Sequence, residues 1–139
     1  FSRNLYGKYD AVAKEKLIEH LSKDGHTLVD AEESFDADLV TSKDGEKHFS
    51  EAEVKTAWTG DWPTHWTEIR IPERKKKLLS KHTNNLKFYV FSGDMSKAWC
   101  IDSSLLTDDK LKEASGRNIY QGEQFYHVPY TEAQLINVA

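Results

Sequence analysis

Cysteine is almost missing from this chain: Cys100 is the sole thiol among 139 residues. One thiol closes no intramolecular disulfide and builds no cysteine-based zinc site. Its place between Trp99 and Ile101 predicts a small buried hydrophobe, not a nucleophile. Proline is scarce too, at three residues, and no linker, internal repeat or low-complexity stretch divides the chain. A single domain over 1–139 is therefore expected. No apolar run approaches the ~18 residues that a membrane span needs, and the first residues hold no secretory hydrophobic stretch. The expectation is an intracellular, cytoplasmic protein with no membrane partner. Gly-x-x-x-x-Gly-Lys and Gly-x-Gly-x-x-Gly loops are absent, which excludes nucleotide chemistry of those kinds. A basic net charge is absent as well. The formal charge is −4, unlike that of proteins that coat nucleic acid. An enzyme whose metal ions bring their own positive charge is compatible with it.

What is present is enough for a core: 38% of residues are apolar and 12% aromatic, ordinary values for a globular domain. Tyr9, Val12, Ala13, Leu17, Ile18 and Leu21 recur at helical spacing, and Asp24-Gly25 supplies a stop. A first helix is predicted from about Tyr6 to Lys23. A short strand follows at residues 26–30, then a second at 34–41. Lys43-Asp44-Gly45-Glu46 is a hairpin turn, with a return strand over 47–58. A second helix is predicted over 68–82, with Pro72 near its start. Strands are expected at 86–91, 97–102 and 125–128. A short helix is expected over 105–114, and a closing helix capped by Thr131. The order predicts an α/β domain with a mixed sheet flanked by helices.

The hairpin carries the chemistry. Phe35-Asp36-Ala37-Asp38-Leu39-Val40 precedes the turn and Ala52-Glu53-Val54-Lys55-Thr56 follows it. Antiparallel pairing brings Asp38 toward Glu53, and period two puts Phe49, Glu51, Glu53 and Lys55 on one face. Two carboxylates and an amine in one place suit phosphodiester hydrolysis. Mg²⁺ (or Mn²⁺) takes oxygen ligands and keeps several waters. Asp38 and Glu53 would hold it with the Val54 carbonyl, and the ion would acidify a bound water. Lys55 would orient or deprotonate that water, or stabilise developing negative charge. The plain alternative is a surface ion pair of the ordinary, weak kind.

Asp38 followed by Glu53-Val54-Lys55 on the far arm of a hairpin resembles the PD-(D/E)XK nuclease superfamily. The resemblance spans residues 9 to about 91 and is nearest to its Holliday-junction-resolvase style of core. It implies a restriction-endonuclease-like α-β-β-β-α-β core, a divalent metal and a DNA or RNA substrate. It makes Asp38 and Glu53 metal ligands and Lys55 the catalytic lysine. It also implies a first-helix glutamate near the metal, for which Glu15 is the candidate and Glu19 the second. The first half of the signature reads Ala37-Asp38 in place of Pro-Asp, and Asp36 competes with Asp38 for the ligand role.

Flanking residues fit a nucleic-acid substrate. Arg74, Lys75, Lys76 and Lys77 on the predicted second helix, with Arg70 before them, suit phosphate binding, although a charge run is as often a solvated face. Trp58, Trp62, His65 and Trp66 crowd one loop, and Trp62 and His65 are candidates for stacking on bases. The six histidines show no His-x3-His spacing and read as mostly structural. The expected function is a Mg²⁺-dependent DNA endonuclease, acting as a homodimer or on a branched structure, in the host-cell cytoplasm if a phage encodes it. The alternative is an inactive nucleic-acid-binding or protein-interaction module on the same fold.

Overall fold

The computed structural model describes residues 3–29, 37–114 and 122–139, with the side chains of the first helix described from Tyr9 onward. Helix α1 (Arg3–Lys23) buries Ala13, Leu17 and Leu21, the stripe that the four-residue spacing requires. It stops where Gly25 takes φ +88°. There His26 N–H donates to Leu21 O at 3.0 Å and Gly25 N–H to Ser22 O at 3.2 Å, a Schellman closure that satisfies the last carbonyls.

Strands β1 (Thr27–Leu28), β2 (Leu39–Lys43) and β3 (Glu46–Lys55) form an antiparallel meander. Asp44 (φ 53°) and Gly45 (φ 80°) make the two-residue β2–β3 turn; positive φ at both places is the type I′ geometry that matches strand twist. The strand expected over 34–41 begins later, at Leu39, and its first residues lie outside the described ones. From β3 the chain crosses over and returns as β5 (Leu86–Ser92), parallel to β3 with Glu53 opposite Val90. β6 (Lys97–Asp102) and β9 (Gln134–Asn137) complete a six-stranded mixed sheet of order β1-β2-β3-β5-β6-β9. A second, three-stranded sheet has the order β4-β8-β7, from Glu68–Pro72, Gln124–Pro129 and Leu111–Glu113.

Two apolar clusters occupy the two faces of the large sheet. Ala13, Leu17 and Leu21 pack with Leu39, Tyr89 and Phe91 beneath α1. Trp58, Ile69, Ile71, Phe88, Val90, Trp99 and Tyr126 pack between the two sheets. β5 is buried on both faces from Phe88 to Ser92, and Phe88-Tyr89-Val90-Phe91 is the apolar run that a covered parallel strand should show. No described helix is long and apolar enough to cross a membrane.

Four expectations are corrected. The helix predicted over 68–82 is strand β4, a 3-10 turn (Glu73–Lys75) and only then α2 (Lys76–Lys81). Ile69 and Ile71 are buried while Glu68 and Arg70 are exposed, a period of two that β8 satisfies by pairing. The helix predicted over 105–114 is two 3-10 turns and β7, because Leu111 pairs across to Tyr126. The closing helix at Thr131 is one 3-10 turn followed by β9, whose Ile136 sits opposite Ala98. The return strand also ends earlier than residue 58: Trp58 N–H turns back to Lys55 O at 3.0 Å and its indole is fully buried.

Candidate active site

The β2–β3 ladder runs out at the pair Leu39–Ser50. One residue earlier, side chains take over from the backbone. Asp38 N–H donates to the Glu51 carboxylate at 2.6 Å, and Asp38 Oδ2 accepts from Ala52 N–H at 3.0 Å. This clasp fixes Asp38 at the open edge of β3. Backbone groups alternate sides along a strand. With Ala52 N–H turned toward Asp38, the Val54 N–H and carbonyl face the same open edge. A pocket of about 380 Å³ lies there, lined by Tyr9, Asp10, Asp38, Glu53, Arg74 and Lys75 among others.

The amine inside this cluster is Lys75. Its Nζ lies 2.9 Å from Glu51 Oε1 and 3.6 Å from Glu53 Oε1. Glu51 is almost wholly buried, at 4% side-chain exposure, so Lys75 is the counter-charge that a buried carboxylate needs. Burial raises the Glu51 carboxyl above the ordinary range, with the Lys75 hydrogen bond pulling the other way. Burial raises Glu53 too, against Lys75 and Arg74. Asp10 is raised by burial and by the neighbouring Asp38. Burial works against the Lys75 ammonium, but the Glu51 hydrogen bond and the fields of Glu51, Glu53 and Asp38 outweigh it, and its pKa rises. Lys75 therefore stays charged at neutral pH.

Lys55 is placed elsewhere. Its Nζ sits 4.9 Å from the Trp66 ring centroid, a cation–π arrangement. Burial lowers its pKa, and Arg70 lowers it further. It lines one groove with Glu53, Arg70 and Arg74, and a second with His65, Trp66 and Arg70. The expected trio is thus divided: Asp38 and Glu53 converge on the pocket, while Lys55 stands on the groove beside it.

Glu15 is exposed on α1 and does not line the pocket; Glu19 pairs with Lys23 at 3.6 Å on the surface. The acidic residue that α1 brings beside Asp38 is Asp10. Counting back from Leu21, Leu17 and Ala13 reaches Asp10 by the same helical spacing, so the buried stripe itself was the signal. Asp36 lies outside the described residues. Arg74 lines the pocket, Lys76 pairs with Asp108 at 3.5 Å, and Lys77 is exposed. Trp62 is packed edge-on against Trp58 and Trp99 at 5.0 and 5.5 Å, with its N–H donated to Trp66 O at 2.6 Å. Trp62 and Trp66 are both partly buried against the core, and Trp66 lines the groove with Lys55.

Asp38 and Glu53 offer oxygen donors, the type that hard divalent cations take. Asp10, Asp38 and Glu53 line the pocket with Arg74 and Lys75, and Lys14 lines an adjoining one with Asp10 and Asp38. Among the described residues, no three acidic, histidine or cysteine side chains are gathered around one point. Two carboxylates, the Val54 carbonyl and retained waters are the arrangement that Mg²⁺ tolerates. Comparison with protein-family models, curated proteins and solved structures gives no match for this chain.

Proposed function

We propose that this protein is a metal-dependent nuclease that hydrolyses phosphodiester bonds, DNA being the favoured substrate, on a restriction-endonuclease-like core. What carries the reading is the convergence of Asp38 and Glu53 at the open edge of β3, with Asp10 beside them. The element order supports the core assignment: α1, the β1-β2-β3 meander, a helix-bearing crossover and β5 parallel to β3. Strand β4 and the small sheet would then be additions to it.

Asp38, Glu53 and the Val54 carbonyl would hold Mg²⁺ or Mn²⁺. Such an ion supplies a polarised phosphate and an acidified water when bound. The chain's own groups divide the remaining work. Lys75, kept charged, balances the carboxylates and stabilises negative charge on a phosphate. Lys55, whose pKa falls, is the better proton acceptor of the two lysines. With Arg70, Arg74 and His65 it lines the grooves that adjoin the pocket, where a phosphate backbone would lie. A homodimer would set two such sites across a duplex.

A second reading, an inactive binding or interaction module on the same fold, is favoured by Lys75, which already stands where a cation would help. One experiment separates them. Labelled duplex, single-stranded, branched DNA and RNA are incubated with Mn²⁺ and with wild type, Glu53→Gln or Lys55→Ala. The nuclease reading expects cleavage by wild type alone, with losses of about 100-fold or more in the variants. No cleavage of any substrate would leave the binding module.

A further inference from the structure

The sheet face beneath α1 is left open where the helix ends. A pocket of about 470 Å³ lies there, between the last turn of α1 and the sheet, within the range of small-molecule sites at ~300–1,000 Å³. Asp10 and His20 are ten residues apart on α1, which at 1.5 Å per residue sets the pocket ~15 Å from the acidic one.

Its lining is the reverse of the acidic pocket. Lys23, Lys43 and Lys87 line it, and so do His20, His26 and His48, against one carboxylate, Asp24. That carboxylate is already engaged: Lys43 Nζ lies 3.2 Å from Asp24 Oδ2. His26 is fixed by a hydrogen bond between its Nδ1 and Thr41 Oγ1 at 2.7 Å, and it meets His48 edge-on at 4.9 Å. This leaves its Nε2 toward Asp24 at 3.8 Å, beyond hydrogen-bond reach. Burial, then the fields of His48 and Lys43, hold His26 below its usual range; Lys87 adds to this and Asp24 opposes it. Lys23 and Lys43 have carboxylate partners in Glu19 and Asp24, and Lys87 is the third ammonium at this pocket, in a chain of net charge −4. On the sheet side lie Tyr89 and Cys100, hydrogen-bonded to each other, with Ile136 also in the lining.

We propose that this pocket binds a nucleotide phosphate monoester, with its phosphate on Lys43, Lys87 and the His26–His48 pair and its flat base over Tyr89. The monoester belongs either to a free mononucleotide or to the end of a nucleic-acid strand. Two ammonium groups supply the charge-assisted bonds that a phosphate dianion takes, and the imidazoles add N–H donors. The proposal stands without the nuclease reading, because no group of the acidic pocket takes part.

The test follows the histidine ring resonances by NMR while adenosine 5′-monophosphate, adenosine, and one short oligonucleotide with and without a 5′-phosphate are titrated in. Adenosine 5′-monophosphate or the phosphorylated strand should move His26 and His48 with a dissociation constant of about 1 mM or tighter, and adenosine should not. A stronger response to the phosphorylated strand assigns the site to strand ends; a stronger response to the monophosphate assigns it to the free nucleotide. Lys43→Gln with Lys87→Gln should weaken binding about ten-fold or more, and Asp24→Asn should tighten it. Equal shifts with adenosine, no shift with either phosphate, or full affinity in the double variant would overturn the proposal.

Discussion

The two pockets along α1, one at Tyr9 and Asp10 and the other at its last turn, are built on one sheet and differ in how their charge is held. At the acidic pocket one ion pair is sunk into the protein: Glu51 and Lys75 have side-chain exposures of 4% and 19%. In the basic pocket the corresponding pair, Lys43 and Asp24, is exposed at 32% and 65%. A buried pair is an obligation, since neither partner can be left alone in low dielectric; an exposed pair is replaceable by water. The acidic pocket is therefore tied to folding, whereas the basic pocket is free to answer to what enters it.

The largest effect that tests this contrast is Lys75→Met. It strands a buried carboxylate and should cost about 3–5 kcal/mol in denaturant unfolding. Adding Glu51→Leu should recover most of that loss, because a buried ion pair is often replaceable by apolar side chains. Lys43→Met should leave the unfolding midpoint where it was. If the two single variants lose equally, the contrast is wrong. A smaller effect is expected of Asp38→Ala, which removes the acceptor of Ala52 N–H but keeps the backbone N–H that donates to Glu51. The loss should be about 1–2 kcal/mol, read by the same unfolding curves.

Acidification gives the smallest and most selective signal. The folded pKa of His26 is lowered, so the unfolded chain binds its proton more readily, and stability is lost as pH falls through the unfolded value of 6.5. Glu51 and Glu53 carry raised pKa values. The folded chain binds those protons more readily, and their contribution is present below the unfolded value of 4.5 and is lost as pH rises through the folded values. Between pH 7 and pH 5 the basic pocket should weaken the fold while the acidic one supports it. His26→Gln, which keeps a partner for Thr41, should flatten the decline of the thermal midpoint over that interval. An unchanged slope would remove His26 from the account.

Much of this was readable in the chain, and the rest was hidden for definite reasons. The Asp44-Gly45 turn fixes the hairpin locally, and the Ala13-Leu17-Leu21 stripe fixes α1, so both were legible. Strand β4 was not: Ile69 and Ile71 fit either period when followed by Leu78 and Leu79, and its partner β8 lies more than fifty residues downstream. Lys75 was hidden in a run of basic residues that reads as a solvated face. Only the fold reveals Glu51, 24 positions earlier, as the reason that this lysine, alone among its neighbours, turns inward. Asp38 and Glu53 were found because a single hairpin joins them. Where the Lys55 amine lies was not legible, because the strand sets its face, while Trp66 on the following loop sets where the amine comes to rest.

The clasp that closes the hairpin has one more consequence. Its rung is built from Asp38, Glu51 and Ala52 N–H in place of main-chain partners. The same oxygens that border the pocket thus act as a stop that sets the alignment of the two arms. A slip by one position would swing Glu53 to the opposite side of the sheet. An error in pairing the hairpin is then also an error at the pocket, and a hairpin closed in this register has Asp38 and Glu53 in place.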